Sequence, residues 1–234
     1  ARPLSMVREH VVILRYNIRV WTKMNTESQH TPHNRPVAIW LLVCCVMVFA
    51  MVVLGGVTRL TGSGLSMVEW DPIFGIVPPL TEDAWSRVFD LYKQSPEYQK
   101  INIGMDVHGF KYIYWFEFAH RLLGRTIGMM FLVPFLFFLV RGWLGWRLVP
   151  KLLAMFVLGG LQGVLGWYMV KSGLVDDPHV SQYRLTAHLA LAVIIYAYMF
   201  WVALGLWFGD GRNKRIPPVT APGLRTGIIT LNGL

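Results

Sequence analysis

The sequence predicts an all-α membrane protein, a four-transmembrane-helix bundle whose outside loop carries an amphipathic helix of its own. Three observations lead there. Of 234 residues, 54% are apolar and only 15% charged, and the mean hydropathy is +0.45, a balance that suits a lipid-solvated chain and not a water-soluble globule. Four stretches nearly free of Asp, Glu, Lys and Arg reach the roughly 20 residues a helix needs to cross about 30 Å of hydrocarbon. Basic residues outnumber acidic ones 22 to 13, for a net charge of +9, yet they gather in alternate connections instead of covering one polar face. That distribution reads as membrane topology and argues against a nucleic-acid partner.

Residues 1–35 form a basic leader on the cytoplasmic or matrix side, with only Glu9 and Glu27 acidic, and in part resemble a transit peptide. The first span covers about 37–58. It is longer than the core of a signal peptide and runs into GGVTRLTGSG, which is no small-residue cleavage site. Cys44 and Cys45 lie inside it, where neither a metal cage nor a disulfide framework can be built from them.

The outside loop is about 59–110, and the connection from Arg59 to about Lys111 holds seven acids against five bases and so faces outside. Within it, Thr81 is placed to N-cap a helix whose apolar stripe is Trp85, Val88, Phe89 and Tyr92, expected to lie on the outer membrane surface. Spans follow at about 111–140, 150–171 and 183–208. Residues 211–234 read as an inside linker and the beginning of a fifth span, since GLRTGIITLNGL turns apolar for about nine residues, too few to cross. Six basic residues before the first span, three between the second and third and four after the last put those flanks inside. The domain reading is therefore a leader (1–35), a transmembrane bundle (36–210) and a linker (211–234).

The second span is the anomaly, because it carries Glu117, His120, Arg121 and Arg125 in its first half. Ionisable groups inside a span are functional candidates by default. Glu117, His120 and Arg121 occupy neighbouring positions on one helical face, and Gly124 and Gly128 continue it without bulk. A bland reading has the arginines reaching outward and Glu117 paired with Arg121. The fourth span shifts the balance: His188 stands four residues after Arg184, at the same depth as His120. Two imidazoles on two helices of one bundle are what bis-histidine haem ligation needs, with Arg121, Arg125 and Arg184 at the level of the propionates. Gly159, Gly160, Gly163 and Gly166 on the third span would allow close approach or merely helix packing. A proton relay or a metal site uses the same residue types. His10, His30 and His33 read as solvated leader residues, and His108 and His179 lie at most at a pocket mouth.

GGVTRLTGSGLSMVEW, FKYIYWFEFAHRLLGR, GLQGVLGWYMVKSGL and VSQYRLTAHL, in this order over residues 37–210, resemble the N-terminal half of haem A synthase. The resemblance implies eight transmembrane helices in two tandem four-helix repeats, of which this chain holds the first. It implies haem O as substrate at the His120/His188 pair and a haem b in the C-terminal half. The implied reaction oxidises the C8 methyl of haem O to a formyl group by successive hydroxylations, making haem A for cytochrome c oxidase. Glu117 and His120 fall on the family's glutamate-x-x-histidine-arginine motif as catalytic groups. Implied partners are haem O synthase, cytochrome oxidase assembly factors, an unidentified electron acceptor and the lipid bilayer, with homo-oligomers possible; the implied location is the bacterial plasma membrane or mitochondrial inner membrane. With one repeat alone, turnover is not expected. The outside loop has no cysteine, which excludes a thiol-based electron route through it. Two other functions use the same residues, a non-catalytic bis-histidine b-type cytochrome or haem-handling subunit, and a proton or ion path.

Overall fold

A computed structural model describes residues 33–69, 75–174 and 181–212. The expected leader up to residue 32, with His10 and His30, His179 and the beginning of a fifth span lie outside these residues. Regular structure among the described residues is helical throughout: α1 (Asn34–Leu60), α2 (Glu82–Lys93), α3 (Pro96–Lys100), α4 (Val107–Val140), α5 (Val149–Gly173) and α6 (Gln182–Arg212). The helices α1, α4, α5 and α6 are long and apolar enough to cross a membrane, and with the residue pattern they make this an integral membrane protein. Each runs one to four residues beyond the span expected from sequence at one or both ends.

The caps are local and legible. The Thr81 hydroxyl accepts from the Ala84 N–H at 3.2 Å, and the Asp106 carboxylate from the Gly109 N–H at 2.8 Å, so α2 and α4 start there. Helix α1 stops at Gly62 (φ +64°), which lets the Ser63 N–H turn back to the Thr58 carbonyl at 3.0 Å; Gly142 (φ +67°) ends α4 in the same way. Inside α4, Pro134 has no N–H for the Met130 carbonyl, and the Trp40 indole of α1 donates to that oxygen at 2.8 Å instead. The helix keeps its course through an apolar region because a neighbour supplies the lost bond.

Helix α1 packs on both α4 and α6, α5 packs on α6, and a lesser α4–α5 contact closes the ring. At the end carrying the chain's first described residues, all four helices meet in a dense apolar core that includes Trp40, Cys44, Phe135, Leu152, Met155 and Met199. A second core lies at the loop end, where Trp85, Phe89 and Tyr92 of α2 are buried against Phe110, Tyr114 and Phe118 of α4. The apolar stripe of α2 is thus covered by protein, which corrects the expectation of a helix resting on the membrane surface: the aromatic-rich first turns of α4 offer it a better partner than lipid. His33 also departs from the solvated reading, because its ring meets Trp143 edge-on with centroids 4.1 Å apart.

Between the two cores no residue of 46–57 (α1), 119–130 (α4), 156–172 (α5) or 182–194 (α6) is buried. Bundle interiors ordinarily fill with interlocking side chains. Here a whole level of the bundle holds no buried residue.

Candidate functional site

Both imidazoles singled out from sequence lie at that open level. His120, on α4, rests against α1 at Gly55, where a Cβ would come within 3.2 Å of the ring Nε2. His188, on α6, rests against α5 at Gly166, where a Cβ would stand 2.9 Å from the ring Cε1, closer than atoms tolerate. In the ring order of the bundle the α4/α1 and α6/α5 seams are opposite one another. At Gly166 the imidazole leaves no room for a Cβ, while at Gly55 a Cβ would fit only if the His120 ring gave way by a few tenths of an ångström. At Gly124 a Cβ would meet only the flexible tip of Met51 at 3.1 Å, and at Gly128 open space.

Gln162, one turn before Gly166, completes the His188 side. Its amide nitrogen donates to the His188 carbonyl at 3.0 Å and lies 3.3 Å from His188 Nε2. Among the described residues the buried amide oxygen of Gln162 and Nδ1 of His188 have no hydrogen-bond partner.

Glu117 and Arg121 turn instead toward the loop end. One carboxylate oxygen of Glu117 accepts from the Ser66 hydroxyl at 2.7 Å and from the Met67 N–H at 2.8 Å, while the other pairs with Arg121. Arg121 also donates to the Met67 carbonyl at 3.1 Å and to the Glu69 carbonyl at 3.4 Å. The side chain of Glu117 is 3% exposed and that of Arg121 13%, so this is a desolvated ion pair whose oxygens are used to fasten the segment after α1 across the bundle. Arg125 donates to the Gly75 carbonyl at 3.0 Å, a second tie to the same loop. Arg184 lies over the Tyr168 ring, 5.0 Å from its centroid. The face expected to hold one polar cluster therefore divides: His120 turns to α1, Glu117 and Arg121 to the loop.

A second buried carboxyl belongs to the loop. Glu97, on α3, is 6% exposed, and its Oε2 has no hydrogen-bond partner. Burial pushes this acid up to about 7; the charge of Glu117 adds to the rise and the Tyr92 hydroxyl opposes it. The Tyr92 phenol is itself pushed up by burial and accepts from the Asn102 amide at 2.7 Å.

Sequence reasoning found both histidines and the Glu117–Arg121 pair. It missed Gly55, Gln162 and Ser66, and treated Gly166 as one packing glycine among several. The GLQGVLGW spacing did carry a signal, since Gln162 and Gly166 are four apart on one face. What it lacked was the partner helix.

Fold and site together define a class, an integral membrane bundle with two glycine-seated imidazoles in an apolar interior. The chain belongs to the cytochrome oxidase assembly protein family, whose model matches residues 38–231. It is similar to the haem A synthase of Nitrosospira multiformis, 62% identical over 173 residues that make up 74% of this chain and 49% of that protein. The haem A synthase of Nitrosomonas eutropha is 57% identical over 76% of this chain and 50% of its own length, and that of Paramagnetospirillum magneticum 52% over 86% and 57%. The chain spans about half the length of the curated relatives it matches. No solved structure matches it.

Proposed function

We propose that this chain forms the substrate-holding bundle of a haem A synthase, with His120 and His188 as axial ligands to the iron of haem O. The observation that carries the reading is the pair of imidazoles on opposite seams of a bundle level where side chains leave the interior unfilled. The donor set fits a porphyrin better than a bare ion. Among the described residues no group of three or more His, Cys, Asp or Glu could hold a metal, so an iron bound by two imidazoles would take its other ligands from a macrocycle. The unpartnered Nδ1 of His188 and Oε1 of Gln162 mark polar groups that no protein neighbour satisfies.

In this reading haem O supplies iron and the C8 methyl to be oxidised to a formyl group. The chain's own residues bind and orient. His120 and His188 would hold the iron of the macrocycle, and Gly55 and Gly166 set where each imidazole stands. Glu117 and Arg121 keep the segment 66–69 over the loop end and so restrict water. Glu117 holds the cap through Ser66 and Met67 on one oxygen and Arg121 on the other, and the remaining lone pair of the oxygen facing Arg121 is the one a base role would use. Arg184, which lies over the Tyr168 ring, is the proposed propionate contact, with Arg121 and Arg125 alongside it in that role. By the charge of the flanks the loop end faces outside. A haem b in a second repeat, supply by haem O synthase, assembly factors and an electron acceptor are proposals for the whole protein.

The test is the porphyrin recovered from full-length protein expressed with haem O available. The expected outcome is haem O and haem A from the parent protein, and loss of haem A with His120→Ala or His188→Ala. A protein that holds only haem b and makes no haem A would support the electron-carrying reading instead.

A further inference from the structure

Resting on the proposed ligation, one interaction in the site acquires a specific meaning. The His188 carbonyl only accepts, so the Gln162 atom 3.0 Å from it must be the amide nitrogen. The same NH2 group lies 3.3 Å from His188 Nε2. Taken as a hydrogen bond, this contact makes Nε2 the acceptor and leaves the proton of the neutral imidazole on Nδ1, which has no partner among the described residues. The two N–H bonds of one amide thus fork to the backbone and the ring of one histidine. The lone pair they engage is the one with which Nε2 would bind a metal.

We propose that Gln162 is a positioning residue that competes with iron for the Nε2 lone pair of His188, making His188 the exchangeable axial ligand and His120 the steady one. The asymmetry is local. His120 is seated by Gly55, and among the described residues no hydrogen bond engages its ring, whereas His188 has an amide already in place on Nε2. When His188 takes the iron, the amide keeps its bond to the carbonyl and gives up the ring; when His188 releases it, the amide is ready to receive the nitrogen again. A hydrogen bond that stabilises only the unligated histidine weakens ligation by its own free energy, which corresponds to about fivefold for an ordinary bond. A plain supporting residue would act in the opposite direction, since losing it would loosen His188.

The sign of the effect is therefore the test. In full-length protein loaded with haem, Gln162→Leu is expected to raise the low-spin fraction of the ferric iron and slow displacement of His188 by cyanide about fivefold. A faster displacement, or none of these changes, overturns the proposal. His188→Ala serves as the control, with any second haem resolved by its own histidine variants: if it removes no low-spin signal, the ligation reading itself fails and the proposal with it. If it removes the signal while Gln162→Leu changes nothing, only the competition is wrong. A second measurement needs no variant: in protein purified without haem, the 15N spectrum of labelled histidine should show His188 protonated at Nδ1 with a bare Nε2. The reverse tautomer contradicts the fork.

Discussion

Around Glu117 every carboxylate oxygen has a partner, while around His188 a ring nitrogen and a neighbouring amide oxygen have none. Both clusters consist of polar groups in apolar surroundings, a few turns apart in one bundle. In the first, an ion pair and two hydrogen bonds close on themselves and fasten a loop. In the second, the groups face a level at which the helices leave their interior unfilled. Buried polar atoms are expensive to leave unmatched. The contrast therefore separates a structural device from a binding site without appeal to which residue type is more reactive.

The largest effect should come from breaking the closed cluster. Glu117→Leu strands the buried Arg121 and removes two hydrogen bonds, a loss of about 3–5 kcal/mol. It should appear in full-length protein as rapid proteolysis within the loop between α1 and α4, with the rest of the bundle resistant. Equal protection of the loop in parent and variant would show that the ion pair fastens nothing.

Next comes the loop carboxyl behind it. Folded Glu97 keeps its proton up to about pH 7, whereas the unfolded side chain releases it near 4.5. Across that window the folded state binds more protons, so stability should fall as pH rises, by about 3 kcal/mol in all. Glu97→Gln should flatten this dependence. Thermal unfolding of the loop core at pH 5 and 7.5, followed by tryptophan fluorescence, checks both; a parent profile as flat as the variant's would count against the burial of this acid.

Smaller effects sharpen the open cluster. Gly166→Val forces side-chain atoms into His188 and should weaken haem binding about 10- to 100-fold without unfolding the bundle, as changes in the support of a ligand do. Gly128→Ala enters open space, should leave haem binding unchanged, and should stabilise α4 by about 0.5–1 kcal/mol through backbone entropy. Absorbance titration with haem measures both. Equal losses from the two substitutions would show that the glycine seat has no special place.

The fold was legible in sequence wherever one physical signal dominated. Stretches free of charge marked the four long helices, and Thr81 with the Trp85, Phe89 and Tyr92 spacing marked α2. The direction in which α2 turns its stripe was not legible, because an amphipathic helix reads alike whether lipid or protein covers it. In the site, His120, His188, Glu117 and Arg121 were conspicuous because charged or titratable groups are costly in a span. Gln162 was not, since a neutral amide in an apolar run carries no such warning. Gly55 was hidden for a different reason: only the position of the facing imidazole separates a seat from an ordinary packing glycine. The division of the Glu117 face likewise depended on the Ser66–Met67 backbone, about fifty residues away in sequence.

The central claim concerns how many imidazole nitrogens reach one iron. Electron–nuclear double resonance on the ferric full-length protein, labelled with 15N-histidine, counts them directly, provided any second haem is resolved by its own histidine variants. Two coordinated histidine nitrogens should be seen for this site, one lost with His120→Ala and the other with His188→Ala. A spectrum that neither substitution alters would contradict the account.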